Sequence, residues 1–232
     1  MSGPLKTLQG ALRLLELFDV EHTEWGLAEL SRQLKVPESS AFDQVRTLAE
    51  LGMLRRTRRG HYALGWRTLK LASSLLCGLP WYNLAHRAMA ELASRTGVLS
   101  FLSIWQEGKV YCIARCSERR RDGGVAGETS FELPADRTAS GRLLTAAQRQ
   151  GTFLGSAPVL SEDEWEPGTT AAAVPIWSGD YQVLAALGLS MRSERFSVSG
   201  PLLLRELSEA GERLSWQLGG CSPAREPGRV TR

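Results

Sequence analysis

The chain has 232 residues, 43% hydrophobic and 23% charged, the composition of a globular protein with apolar mass for one large or two modest domains. No apolar run is long enough to span a bilayer, and the first residues lack the basic-then-apolar order of a secretory signal, so the expected setting is cytoplasmic with no membrane partner. The formal charge of +3 is unevenly placed: residues 1–75 hold 11 Lys+Arg against 8 Asp+Glu, while residues 76–232 hold 17 of each, which points to an anionic partner met by the N-terminal third.

Leu8, Leu12, Leu15 and Phe18 recur at helical spacing and predict a first helix from about Thr7 to Phe18. Leu27, Leu30 and Leu34 mark a short second helix, and Lys35-Val36-Pro37 a turn, because proline forces the residue before it away from helix. A third helix runs to about Leu51 and stops at Gly52. On its wheel Ala41, Val45 and Leu48 share one side, while Ser39, Asp43, Arg46 and Glu50 face away, flanked by Ser40 and Thr47. Met53-Leu54 and Tyr62-Ala63-Leu64 then bracket Arg55–Gly60 as strands around a loop with four arginines in five positions, Arg55, Arg56, Arg58 and Arg59. Two helices, a tight turn and a basic hairpin are the layout of a winged helix-turn-helix, with one helix for the major groove and a wing for phosphates. The expected DNA-contacting set is Ser39, Ser40, Asp43, Gln44, Arg46, Thr47 and the four wing arginines.

Residues 66–96 read as helix interrupted near Gly78-Leu79-Pro80, the expected domain boundary. The domains predicted are a winged helix-turn-helix over 1–66, a linker helix over 67–80, a second domain over 81–220 and a disordered tail over 221–232. In the second domain Leu84, Ala88 and Leu92 predict the stripe of an opening helix. Val98–Gln106 and Lys109–Cys116 alternate as strands joined by Glu107-Gly108. Arg119–Gly127 reads as a mobile loop. A helix follows from about Ser140, then strands at Thr170–Trp177 and Gln182–Ser190, and a final helix from about Ser199-Gly-Pro201. That order is α+β with an antiparallel sheet.

Catalytic signals are weak. His22, His61 and His86 are scattered, no Ser or Cys sits in a nucleophile elbow, and Gly123-Gly124 lacks a phosphate-loop continuation. Trp105, Trp177 and Trp216 lie on patterned elements and read as core. Cys77, Cys112, Cys116 and Cys221 lack metal spacing and read as buried free thiols, with a redox sensor as the alternative. No enzyme, metal or cofactor is expected.

Four motifs in order carry a resemblance. They are Leu27-Ala28-Glu29-Leu30 with Val36-Pro37, Ser39-Ser40, Leu48 and Leu51-Gly52; Tyr62-Ala63-Leu64-Gly65; Leu133-Pro134 with Thr138-Ala139-Ser140-Gly141-Arg142; and Glu164-Trp165-Glu166-Pro167-Gly168 with Ala172-Ala173-Val174-Pro175-Ile176. Together they resemble the IclR family of bacterial transcriptional regulators. The resemblance implies a DNA-binding N-terminal domain, a linker helix, a GAF-like effector domain, self-association into dimers or tetramers, and control of transcription by a small organic acid or aromatic effector. It does not distinguish repressor from activator.

Two departures from the family pattern stand out. Glu38 and Asp43 occupy positions where the family carries basic residues, so the reading helix is more acidic. Asp43 then either accepts from cytosine N4, or the helix-turn-helix is degenerate and acts through protein–protein contacts without an operator. In the effector site the resemblance assigns backbone donors at Ala139 and Ser140, with Ser161, Ala171, Gly188 and Ser190 at the remaining positions. Ser161, Ala171 and Gly188 replace polar family residues. A more open, less polar site suits a bulkier apolar or aromatic ligand, and equally suits none.

Overall fold

The structure, a computed structural model, describes residues 5–19, 22–58, 60–117, 132–150 and 157–220. Arg59, the whole of the expected loop at Arg119–Gly127, Cys221 and the tail after Gly220 lie outside the described residues. The chain divides into two units, Met1–Pro80 and Trp81–Arg232. No helix of the described residues is long and apolar enough to cross a membrane.

The first unit runs α1 (Lys6–Leu15), α2 (Leu27–Leu34), α3 (Glu38–Glu50), β1 (Leu54–Arg56), β2 (Tyr62–Leu64) and α4 (Trp66–Cys77). Helix α1 ends three residues earlier than its apolar spacing predicts. The chain there passes into turns, Leu17 N–H to Leu14 O and Phe18 N–H to Leu15 O, both 3.3 Å. The Leu17 carbonyl instead accepts the indole N–H of Trp25 at 2.8 Å. Glu29 closes the amino end of α2 by accepting the Gly26 N–H at 2.8 Å. Its carboxyl end stops at Lys35, which takes the left-handed region at φ 55°. Val36 N–H then reaches Ser31 O at 3.2 Å and Ser31 Oγ donates to Val36 O at 2.8 Å, fixing the turn into α3.

Leu14, Leu30, Val45, Leu48, Leu54 and Tyr62 form the core of this unit. Ala41, Val45 and Leu48 are the buried side of α3, as its wheel predicts. Arg55 and Arg56 belong to β1, paired with Ala63 and Tyr62, so the wing tip is shorter than the bracket expected. It closes through Thr57 N–H to His61 O at 2.8 Å. An antiparallel bridge between Trp25 and Tyr62 adds a third edge to the hairpin.

The second unit runs α5 (Tyr82–Thr96), β3 (Leu99–Gln106), β4 (Lys109–Cys116), β5 (Glu132–Leu133), α6 (Ala139–Gln150), β6 (Val159–Glu162), β7 (Thr169–Trp177), β8 (Val183–Arg192) and α7 (Ser193–Gln217). All six strands form one antiparallel sheet in the order β5-β4-β3-β8-β7-β6. Alternation along each strand sends side chains to opposite faces. Phe101, Val110, Cys112, Ala173 and Ala186 meet Ala139, Leu143 and Leu144 of α6. On the other face α7 comes close enough that a side chain at Gly211 would touch Val174 Cγ2 at 2.6 Å, and Ser215 Oγ accepts the Trp177 N–H at 3.0 Å. Helices on both sides of an antiparallel sheet give the α/β arrangement expected.

Three expectations change. The buried stripe of α5 is Tyr82, Ala85, Met89 and Leu92, one step around the helix from Leu84 and Ala88. Helix α7 begins at Ser193, not near Ser199: Pro201 is tolerated inside it, exposed on its surface, where the unpaired carbonyl one turn back can meet water. Trp216 is 79% exposed and not core, whereas Trp177 is buried.

Candidate nucleic-acid interface and effector cleft

In the first unit the outward face of α3 exposes Ser39, Ser40, Asp43, Arg46 and Thr47, together with Phe42, which the sequence reading passed over. Arg46 is the base among the acids Glu38, Asp43 and Glu50 on this helix. Its guanidinium lies 3.5 Å from the Asp43 carboxylate, 4.0 Å from Glu50, and 6.0 Å from the Phe42 ring centre. Thr47 Oγ1 donates to the Asp43 carbonyl at 2.8 Å. Gln44 stands apart from this face. It is half-buried, its amide lies against Gly10 of α1, and its Oε1 is buried without a hydrogen-bond partner among the described residues.

The hairpin adds the positive charge. Arg55, Arg56 and Arg58 are exposed around a shallow groove shared with Glu24 and Thr57. Arg55 and Arg56 are consecutive on a strand and leave opposite faces. Arg56 stays over the Tyr62 ring at 5.8 Å, a cation–π contact that holds the guanidinium at the surface. This half of the molecule therefore separates its charges: a mixed, largely acidic face on α3 and cations on the wing.

The second unit holds a small cleft at the amino end of α6, partly open to solvent. Thr138 sets this end of the helix. Its Oγ1 donates to Pro134 O at 2.7 Å and accepts the Gly141 N–H at 3.1 Å. Ser140, 1% exposed, lines the cleft, and its hydroxyl has no hydrogen-bond partner among the described residues. One wall is the loop between β6 and β7, tied down through Glu164. Arg137 donates Nε (2.7 Å) and Nη2 to the Glu164 carbonyl, and Arg142 pairs with its carboxylate. Asp163 accepts from Gly168 N–H at 2.7 Å and Ser193 Oγ at 3.1 Å. Thus pinned, the loop presents Trp165 and Glu166 to the cleft.

Cross-strand register explains the floor. Ser161, Ala171 and Ser190 face one another across β6, β7 and β8, and with Ala139 and Ser140 all five line the cleft. The sixth residue expected there does not. Gly188 lies in the next row, between Ala173 and Phe101, and a Cβ on it would stand 2.1 Å from Phe101 Cζ and 2.4 Å from Cε2. The Phe101 ring covers the glycine, so the expected open floor is filled at this point by a neighbour from β3. Phe101, Cys112, Arg115, Trp165 and Glu166 also line the cleft, and the sequence assigned none of their side chains to it. Arg115, the one charge between Lys109 and Cys116 on an otherwise largely buried strand, was the available signal. Burial pushes the Cys112 thiol up to about 11, against a smaller opposing pull from Arg115.

Comparison with known proteins agrees with both halves. Residues 7–58 match the IclR helix-turn-helix domain. The chain is 25% identical to the HTH-type transcriptional regulator XynR of Escherichia coli K12, over 93% of its own length and 98% of the relative's. An IclR-type transcriptional regulator from a Silicibacter species has the same fold, with a TM-score of 0.65 at 24% identity, covering 94% of this chain and 98% of the other. An IclR homologue from Microbacterium hydrocarbonoxydans, crystallised with 4-hydroxybenzoate, matches with a TM-score of 0.67 at 22% identity over 91% of this chain and all of the other. The helix-turn-helix match over residues 7–58, the full-length relative and the shared fold make this chain similar to the IclR-type transcriptional regulators.

Proposed function

We propose that the protein is a sequence-specific DNA-binding regulator whose operator affinity is controlled by a small organic acid or aromatic effector in the α6 cleft. The observation that carries this is the pairing, in one helix-turn-helix unit, of an exposed polar α3 face with an arginine wing. Ser39, Ser40, Asp43, Arg46 and Thr47 probe base edges in the major groove, and Phe42 offers an apolar contact for a thymine methyl. Arg55, Arg56 and Arg58, with Arg59 beside them in sequence, meet phosphates and hold the register. Gln44 supports α3 from inside. The effector site is supported by the Ser140 hydroxyl at a helix amino end, unpartnered among the described residues, and by the 4-hydroxybenzoate complex of a structural neighbour. Such an effector acts only by binding the DNA-competent and incompetent arrangements unequally.

Selection of bound sequences from a random duplex pool, at moderate and high salt, tests the DNA half. Enrichment of a palindrome or of spaced half-sites is expected. The ion pairs from Arg46 to Asp43 and Glu50 favour one rival, a helix-turn-helix that docks on a protein partner and reads no operator. Weak, salt-sensitive binding with no enriched sequence supports that rival and overturns the operator reading.

A further inference from the structure

We infer that Phe101 sets the size limit of the α6 cleft, so that its ligand is a small organic acid of at most one ring. The inference rests on the effector reading of this cleft and narrows it. Across the sheet, Val159, Ala173, Gly188, Phe101 and Arg115 form one row of cross-strand neighbours. Two of these five have almost no side chain, and read alone they describe a deep empty floor. Phe101 closes it. Its ring lies where any side chain at 188 would begin, is 8% exposed, and belongs to the core cluster under α6 with Leu143 and Ala173. The ring is therefore wedged between helix and sheet and cannot swing aside without leaving a hole in the core.

What remains open lies beside the ring, between the amino end of α6, the Ser161–Ala171–Ser190 row, Arg115 and Trp165. Its chemistry is polar at one end and apolar at the other. The Ser140 hydroxyl and the first N–H groups of α6 suit a carboxylate, and Phe101, Trp165 and Leu133 suit a compact apolar body. A second fused ring would need the volume that Phe101 occupies.

The test uses the full chain and two probes, benzoate and 2-naphthoate, titrated calorimetrically into the wild type and into Phe101→Ala and Phe101→Leu. The leucine variant keeps most of the core packing if the alanine variant fails to fold, and melting curves check both. The wild type is expected to bind benzoate at least on the order of tenfold more tightly than naphthoate, with the preference lost in leucine and reversed in alanine. An unchanged preference in a folded variant, or equal binding of both acids by the wild type, overturns the inference and leaves the effector reading standing. If the wild type binds neither acid, the inference and the carboxylate effector reading fall together.

Discussion

Cys112 shows how one buried atom fixes a chemical property. Its thiol is walled in by β3, β4 and α6, and burial pushes it up to about 11, while Cys77 is exposed. In a Cys221→Ser background at pH 8, iodoacetamide is expected to label Cys77 and leave Cys112 and Cys116 unmodified until the protein is denatured; peptide mass mapping reads this, and rapid labelling of Cys112 in the folded protein would contradict it. The same burial makes stability depend on alkaline pH. Because the folded thiol titrates above the unfolded one, its contribution is complete below about pH 9 and is lost as pH rises toward 11, by up to about 3 kcal/mol. Cys112→Ala should flatten that segment of the curve. Glycines carry the opposite lesson. Gly141, inside the Thr-Ala-Ser-Gly-Arg run, would place a Cβ 2.6 Å from the carbonyls of Pro134 and Ala135 and from Thr138 Oγ1. Gly141→Ala is expected to cost about 1–3 kcal/mol by overpacking and to shift the first turn of α6, measured as a lower midpoint in urea together with weaker effector binding. Unchanged stability would mean that the turn has room to give.

At the scale of elements, the proposed DNA binding would be divided between α3 and the wing, and the division is measurable. Arg55→Ala with Arg56→Ala removes two cations that read no sequence, so affinity should fall alike for every duplex and the slope of log K against log salt should shrink by roughly two. Asp43→Ala removes an acid 3.5 Å from Arg46 and should change which sequences are preferred. Equal effects of Asp43→Ala on all sequences would take Asp43 out of base readout. Much of this layout was legible in the sequence because it is local: the α2–α3 turn at Pro37, the buried side of α3, the β3–β4 hairpin and the motif at Thr138–Arg142 each announce themselves within a dozen residues. What was not legible depends on distant partners. Helix α1 carries two apolar stripes, and only packing decides that Leu14 is buried while Leu8 and Leu12 are exposed. The short strands β5 and β6 exist because β4 and β7 offer edges. Phe101 meets Gly188 across 87 positions of chain, a contact that only the β3–β8 register makes. Pro201 misled for the converse reason, since a surface proline costs little once α7 is held by the sheet.

At the scale of the whole molecule the unexplained surface is apolar. Helix α4 buries none of its residues, and Trp66, Leu69, Leu71 and Leu75 are 78%, 58%, 56% and 67% exposed. Leu5, Leu8 and Leu12 add a second exposed stripe at and along α1. Isolated exposed leucines are ordinary on a soluble protein, but seven large apolar side chains on two helices of one small unit are the composition of a contact surface. On the operator reading proposed above, a two-fold partner would be the economical cover, because a reader of palindromic DNA must present two α3 helices about one helical turn apart. Dimer and operator would then be one problem: a monomer presents a single α3 and forfeits the second half-site. Leu69→Glu with Leu75→Glu should leave the fold of each unit intact by circular dichroism. The same pair should halve the mass in sedimentation equilibrium at micromolar protein and reduce operator affinity far more than affinity for a single half-site. A variant that still sediments with the wild-type mass would show that α4 is not the seam, and the exposed residues of α7, Val198 and Leu202, would be the next pair to charge. A monomeric variant with undiminished operator affinity would separate the two properties and show that each protomer reads DNA alone.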